Sequence, residues 1–438
     1  MSCVRNAMAL VLLVILAAAG PSAATNGFKV LHSFCKTCGN GTAAWKGLVA
    51  DASGNLFGIT FGGGDGHLGT AFELERSGNG HYSFQTIHTF YYDGAEGSNP
   101  YSSLIIDVHG NLYGGTLQGG AQGKGAAYEL VKTDQGEWPA KVLHTFCSKS
   151  DCQDGDSPAV GLSYVGMTSG QPYDGHSPLY GTTTGGGRYH YGTAYELTLK
   201  DGKWTEQVIH DFCTHGDRDC ADGNKPFSAL LADASGNLYG TTSGPLGGVL
   251  FELIAKTWEE IPLYHFCQKA ACSDGSSPIG NLAMDANGNI YGVTSEGGKI
   301  GACTSSFGCG TIFKLVPNGA NSTLTTLHSF CQQSDCKDGR ILFDGLIVDG
   351  RGNLFGTTDG GGGHDNDQYE TGGGVVYELR GRRYKILHRF CSQAHCDDGA
   401  NPNTELMMDG SGILFGTTQD GGAYDGTYGG GVVFQLKP

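Results

Sequence analysis

Gly236-Asn237-Leu238-Tyr239-Gly240-Thr241-Thr242 recurs, with small changes, seven times along the chain. The other copies centre on Phe57, Tyr113, Tyr180, Tyr291, Phe355 and Phe415, and successive aromatics are 56, 67, 59, 52, 64 and 60 residues apart. A period of that size means one supersecondary unit copied seven times, each copy burying its apolar face against its neighbours. It overrides the two or three domains that 438 residues would otherwise suggest.

Residues 226–266 show the unit. Ser228–Asp233 is a short, mostly apolar strand. Asp233–Asn237 is a tight turn, because Asp and Asn suit turn backbones and Gly tolerates positive φ. Leu238–Thr242 is a second strand of aromatic and β-branched residues. A Gly-rich loop, Ser243–Gly248, leads to a third strand, Val249–Leu253. A turn through Trp258 leads to a fourth, Ile261–Phe266, which ends in a repeated His-(X)-Phe. No segment has a helical period, and four short antiparallel strands per repeat describe a propeller blade. Gly supplies 75 residues, but hydrophobics remain at 39 per cent, so the glycines belong to turns and loops of a folded chain.

The first strand-like stretch, Phe28–Phe34, is of the fourth-strand type, and the last, Val432–Leu436, is of the third. Seven complete blades result if the N-terminal strand joins the C-terminal sheet, which closes the ring and removes its edges. The expectation is an all-β chain, with residues 25–438 forming a single seven-bladed β-propeller of four-stranded antiparallel blades.

The motifs His-X-Phe, Asp-Gly-X-X-Pro, Asp-X-X-Gly-Asn-Leu-Tyr-Gly-Thr-Thr, Gly-Gly and Gly-Thr-X-Phe-Glu-Leu recur together from Phe28 to Pro438. In this combination the chain resembles bacterial proteins built from the GloVer tandem repeat. The resemblance implies export, in some members with a C-terminal surface anchor. Here the chain stops at its last strand, which points to free export rather than anchoring. The resemblance assigns no catalytic residue.

Residues 1–24 read as a secretory signal peptide. Arg5 precedes an apolar run, Met8–Gly20, too short to span a membrane, and Ser22-Ala23-Ala24 offers small residues for cleavage. No later apolar run is long enough for a membrane span. Of fifteen cysteines, Cys3 leaves with the signal. The rest form close pairs: Cys35/Cys38, Cys147/Cys152, Cys213/Cys220, Cys267/Cys272, Cys303/Cys309, Cys331/Cys336 and Cys391/Cys396. Even, repeated spacing in an exported chain argues for disulfides. The same loop position makes Cys35-Lys-Thr-Cys38 structural rather than a redox motif, and two ligands per loop are too few for zinc. A formal charge of −16 repels phosphate backbones, so nucleic acid is excluded as a partner, while cations, neutral glycans and basic proteins are compatible.

Strand direction puts the Cys-bearing loops and the Gly-rich loops on one face of the ring, where binding on a rigid frame usually resides. Aromatic ligand-binding candidates there are Tyr189, Tyr191, Tyr369, Tyr424 and Tyr428. Asp217-Arg-Asp219-Cys-Ala-Asp222-Gly223 most resembles a Ca²⁺ loop, one residue out of register and without a downstream Glu. Acidic residues recur beside Gly at Asp93, Asp154, Asp222, Asp274, Asp338 and Asp398, the pattern of a turn into the next blade. His32, His88, His144, His210, His265, His328 and His388 fall on outermost strands of separate blades, which points to structural hydrogen bonding. Phosphate loops, nucleophile elbows and zinc-protease motifs are absent from the sequence. The functional expectation is an exported, monomeric binding module for a glycan or an extracellular protein. A secreted hydrolase or lyase with a loop-face or channel site, and an envelope scaffold, are the alternatives. Catalysis would require unrepeated polar residues converging at the channel mouth; binding would require aromatics around a shallow depression.

Overall fold

A computed structural model describes residues 27–35, 39–92, 94–158, 160–214, 220–244, 246–298, 308–363, 372–423 and 429–438. The signal peptide read from residues 1–24 lies outside them. The described residues form seven antiparallel sheets, one per repeat. The N-terminal strand Phe28–Ser33 pairs with Val432–Leu436, with Val30 opposite Phe434, and completes the last blade. The fourth repeat follows the sequence reading closely: Leu238–Ser243, Val249–Leu253 and Glu260–His265 are its outer three strands. Its innermost strand is split into Asn224–Pro226 and Leu231–Ala232, both paired with Leu238–Ser243. The third blade departs most. Its sheet has three strands, and its innermost segment is held by two isolated bridges, Asp156 to Gly185 and Ser163 to Tyr180.

The repeated motif is a set of hydrogen bonds. In the fourth blade Asp233 Oδ1 accepts from the Ser235 and Asn237 amides at 2.8 and 2.9 Å, and Asn237 Nδ2 donates to Asp233 Oδ2 at 3.1 Å. Asn237 Oδ1 accepts from the Ala255 amide, tying this turn to the neighbouring one. The Tyr239 hydroxyl lies 2.9 Å from Glu252 Oε1 and 3.4 Å from Asp233 Oδ2, so the Glu of the third strand belongs to the same network. Gly240 has a packing reason: a Cβ there would sit 2.5 Å from the Phe251 ring. Only glycine lets that ring cross the second strand.

Blade-to-blade contact explains His-X-Phe. The Phe closing each outer strand packs on the aromatic residue of the next blade's third strand: Phe34 on Phe72, Phe90 on Tyr128, Phe146 on Tyr195, Phe212 on Phe251, Phe266 on Phe313, Phe330 on Tyr377 and Phe390 on Phe434. Their centroids are 4.9 to 5.5 Å apart. These seven contacts run once around the ring. The histidines reach the acidic residue of the following loop: His144 to Asp154 at 3.0 Å, His388 to Asp398 at 3.2 Å and His328 to Asp338 at 3.6 Å. Three repeats vary the device, the first by pairing His32 with Asn40 at 3.2 Å. In the fourth blade Tyr264, not His265, bonds Asp274, at 2.7 Å. His88 faces Glu96 at 3.3 Å, and Asp93 lies outside the described residues.

Disulfides Cys147–Cys152, Cys213–Cys220, Cys267–Cys272, Cys331–Cys336 and Cys391–Cys396 close the loops after these histidines. Cys35 and Cys309 are also disulfide-bonded, while Cys38 and Cys303 lie outside the described residues. The Gly187, Gly298, Gly362 and Gly422 amides of the Gly-rich loops donate to Cys152, Cys272, Cys336 and Cys396 carbonyls at 2.9 to 3.1 Å. Both loop sets therefore share one face. Among the described residues no helix is long and apolar enough to cross a membrane.

Candidate functional site

The innermost segments run from the loop face to the short-turn face, and each carries a buried leucine: Leu48, Leu104, Leu162, Leu230, Leu282, Leu346 and Leu406. Aligning the blades on that leucine shows where they stop being alike. One position earlier stand Gly47, Ser103, Gly161, Ala229, Asn281, Gly345 and Glu405. Five are small and two are not. Two positions earlier are Lys46 and Asp344 among Ser102, Val160, Ser228, Gly280 and Thr404. Small residues let the segments approach: a Cβ on Gly47 would sit 2.9 Å from the Glu405 carbonyl oxygen.

The four exceptions meet in the channel. Lys46 Nζ lies 3.7 Å from Asp344 Oδ2, and Asn281 Nδ2 donates to Glu405 Oε2 at 2.6 Å across a sequence separation of 124 residues. Asn281 Oδ1 in turn accepts from the Ala229 amide at 3.0 Å, which fixes the side-chain amide. Burial pulls the Lys46 pKa down, but Asp344, Tyr101 and Glu405 together outweigh it and the ammonium titrates above its usual value. Burial, and then Asp344, push Glu405 up to about 7 against the opposing effects of Asn281 and Lys46. Desolvation with a like charge nearby is the combination that holds a carboxyl near neutrality.

Towards the loop face this cluster opens onto unrepeated aromatic and polar side chains. Trp45 stacks on Phe61 with centroids 4.5 Å apart, and Tyr101 stands edge-on to both, at 5.6 and 5.8 Å. Lys46 Nζ is 4.7 Å from the Tyr101 centroid. Phe343, at the register of Trp45, is 45 per cent exposed. Asn403 Nδ2 donates to Gln419 Oε1 at 3.0 Å, and Asn401 Nδ2 donates to the Asp359 carbonyl at 3.1 Å. Burial pushes the Asp359 carboxyl up to about 6, against hydrogen bonds from Asn403 and Asn401. Three buried polar atoms in this neighbourhood have no hydrogen-bond partner: Trp45 Nε1, Arg340 Nε and Asn403 Oδ1. Leaving such atoms unsatisfied costs about 1–3 kcal/mol each.

Towards the turn face the channel is apolar. Two adjoining cavities, about 240 and 350 Å³, share the walls Met167, Ala229, Ile347 and Val348, with Asn281 and Glu405 as their polar side chains in common. The long connection of the third blade, whose 3-10 turn Met167–Ser169 has no counterpart among the described turns at this face, lies beside them. It is anchored on both sides: Thr168 Oγ1 donates to the Ala232 carbonyl, and the Val108 amide donates to the Tyr173 carbonyl.

Of the residues singled out from sequence, the described ones lie elsewhere. Tyr189 and Tyr191 sit on the Gly-rich loop of the third blade, with the Arg188 guanidinium 5.7 Å from the Tyr189 centroid and Tyr191 37 per cent exposed. Tyr369, Tyr424 and Tyr428 lie outside the described residues, as do Asp217 and Asp219. Asp222 Oδ2 accepts from the Thr214 amide at 2.9 Å and faces His210 at 3.8 Å, the same loop-closing arrangement as its counterparts. The sulfurs of Cys309, Cys331 and Cys336 lie within 4.8 Å of one another, but all three are disulfide-bonded, so no thiolate is left to ligate a metal. The channel cluster was missed, although Asn and Glu among Gly, Ser and Ala at one aligned register were visible in the sequence.

Comparisons with known proteins bear on the frame. Among solved structures, the polysaccharide lyase Uly1 is similar at 10% identity with a TM-score of 0.47, over 91% of this chain and 90% of that one. A protein of unknown function from Dyadobacter fermentans DSM 18053 is similar at 10% identity and 0.44, over 94% and 100%. A chain of the nidogen/laminin complex is similar at 12% and 0.42, over 73% and 90%. No curated protein matches the chain. The Gloeobacter/Verrucomicrobia repeat matches residues 21–173 and 165–369, most of the ring, and the chain therefore belongs to the Gloeobacter/Verrucomicrobia repeat family.

Proposed function

We propose that this protein is an exported binding module that holds a neutral saccharide at the loop-face mouth of its channel. The observation that carries the reading is the grouping of Trp45, Phe61 and Tyr101 with three unpartnered buried polar atoms on adjoining blades. Sugars present apolar C–H faces, which aromatic rings accept, and hydroxyls, which planar amide, carboxylate and guanidinium groups bond in pairs. Asn403, Gln419, Arg340 and Asp359 supply those groups. The disulfide-closed loops suit an oxidising compartment. The acidic chain, at −16, disfavours an anionic glycan.

Isothermal titration and Trp fluorescence against a panel of neutral oligosaccharides test it. Binding should be lost in Trp45→Ala and kept in Tyr189→Ala/Tyr191→Ala. The reverse pattern would move the site to the third-blade loop, and no heat with any member of the panel would remove the reading. Adding Ca²⁺ or EDTA to the same titration reads the loop containing Asp217, Asp219 and Asp222: binding that needs neither leaves that loop a structural turn.

A further inference from the structure

We propose a second binding site, at the turn-face end of the channel, for a small primary amine with an apolar body. Two features converge there. The cavities beneath Glu405 are walled by aliphatic side chains, including Leu231, Ile347 and Val348, and hold about 240 and 350 Å³, room for a compact small molecule. The Met167–Ser169 turn lies against them.

The chemistry of the head group follows from what faces Glu405. Asn281, from the fifth blade, occupies Oε2 as a donor. Lys46 and Asp344, from the first and sixth blades, already face each other at 3.7 Å. Two carboxyls, Asp344 and Glu405, therefore share the single ammonium of Lys46, and the cluster is one cation short. The charge missing at the end of this apolar cavity is a cation, and an ammonium beside Glu405 supplies it while its hydrocarbon body fills the cavity.

Glu405 titrates near pH 7 without ligand, from the burial and the Asp344 charge described above. Above that pH the carboxylate is ready for an ammonium. Below it the ligand must displace a proton, so affinity should fall by about tenfold per pH unit.

The test titrates the full-length protein with n-hexylamine, 1-hexanol and hexanoate, followed by calorimetry and thermal shift. At about pH 8 the amine should bind about tenfold more tightly than the alcohol, with hexanoate weakest, and the preference should shrink on acidification. Glu405→Gln should erase the preference while keeping weak apolar binding, and Ala229→Leu, which narrows the cavity, should remove all three. Equal binding of the three heads, no binding of any, or a preference that survives Glu405→Gln would overturn the proposal. If Glu405→Gln fails to fold, the pH series decides, and an amine affinity that does not fall below pH 7 overturns it. Trp45→Ala should leave this site unchanged, so its outcome is separate from that of the saccharide titration.

Discussion

Around the outer ring every blade offers its neighbour the same residues; along the axis the blades diverge. At the rim, one aromatic contact is repeated seven times with centroids 4.9 to 5.5 Å apart. In the channel, one aligned register holds glycine in one blade, Asn281 in another and Glu405 in a third. A ring closes only if every interface has nearly the same geometry, so the rim must repeat. The axis is where inner segments converge with space to spare, and there a blade can differ without disturbing its neighbours. Divergence is therefore confined to the part of the ring that closure does not constrain.

The hardest blow to the rim should come from removing the strand Phe28–Ser33. Val432–Leu436 would become an unpaired edge, and cooperative unfolding should give way to aggregation visible in gel filtration. A monodisperse truncated chain with an unchanged midpoint would break the argument that the ring must close. Next in size is Phe266→Ala, expected to cost roughly 3–5 kcal/mol in denaturant unfolding, whereas Phe343→Ala at the channel mouth should cost within about 0.5 kcal/mol. Similar losses for the two would erase the distinction between rim and axis.

Lys46→Met should destabilise by ~3 kcal/mol, because it leaves the Asp344 carboxylate buried without its cation. Adding Asp344→Asn should recover most of that loss, and a double variant no better than the single would show that the pair is not coupled. Glu260 is an unrepeated carboxyl on the rim, pushed up to about 8 by burial and then by Asp222, with Oε1 unpartnered. A raised carboxyl favours folding only while protonated. Stability should therefore fall as pH rises from about 4.5 towards 8, and Glu260→Gln should flatten that decline in thermal melts. Among the frame variants the smallest effect is expected from Tyr239→Phe, which removes the hydroxyl bonds to Glu252 and Asp233 at about 1 kcal/mol.

Much of the frame was legible because its signals are local. Asp233 and Asn237 lie in one turn, so their spacing reports the hydrogen bonds they make. The recurrent Asp-Gly and His were legible as structural for a related reason: seven copies cannot all serve one ligand. Their partners were less legible, although Tyr264 could have been read: it stands two residues before Phe266, the place His210 holds before Phe212, and His265 is one position out of register. The third blade's missing inner strand was hidden too, since its long connection reads as an insertion until Tyr173 is seen bridging to the second blade.

By itself the sequence determined the seven-fold unit, the order of strands within it, the closure of the ring by its first strand and the pairing of cysteines in five loops. All of these rest on contacts between residues close in the chain or repeated at a fixed period. Only the tertiary structure decided that Lys46 meets Asp344 and that Asn281 meets Glu405. Those residues come from different blades, and what brings them together is the curvature of the ring. That curvature is set by seven interfaces acting jointly, and no local stretch of sequence records it.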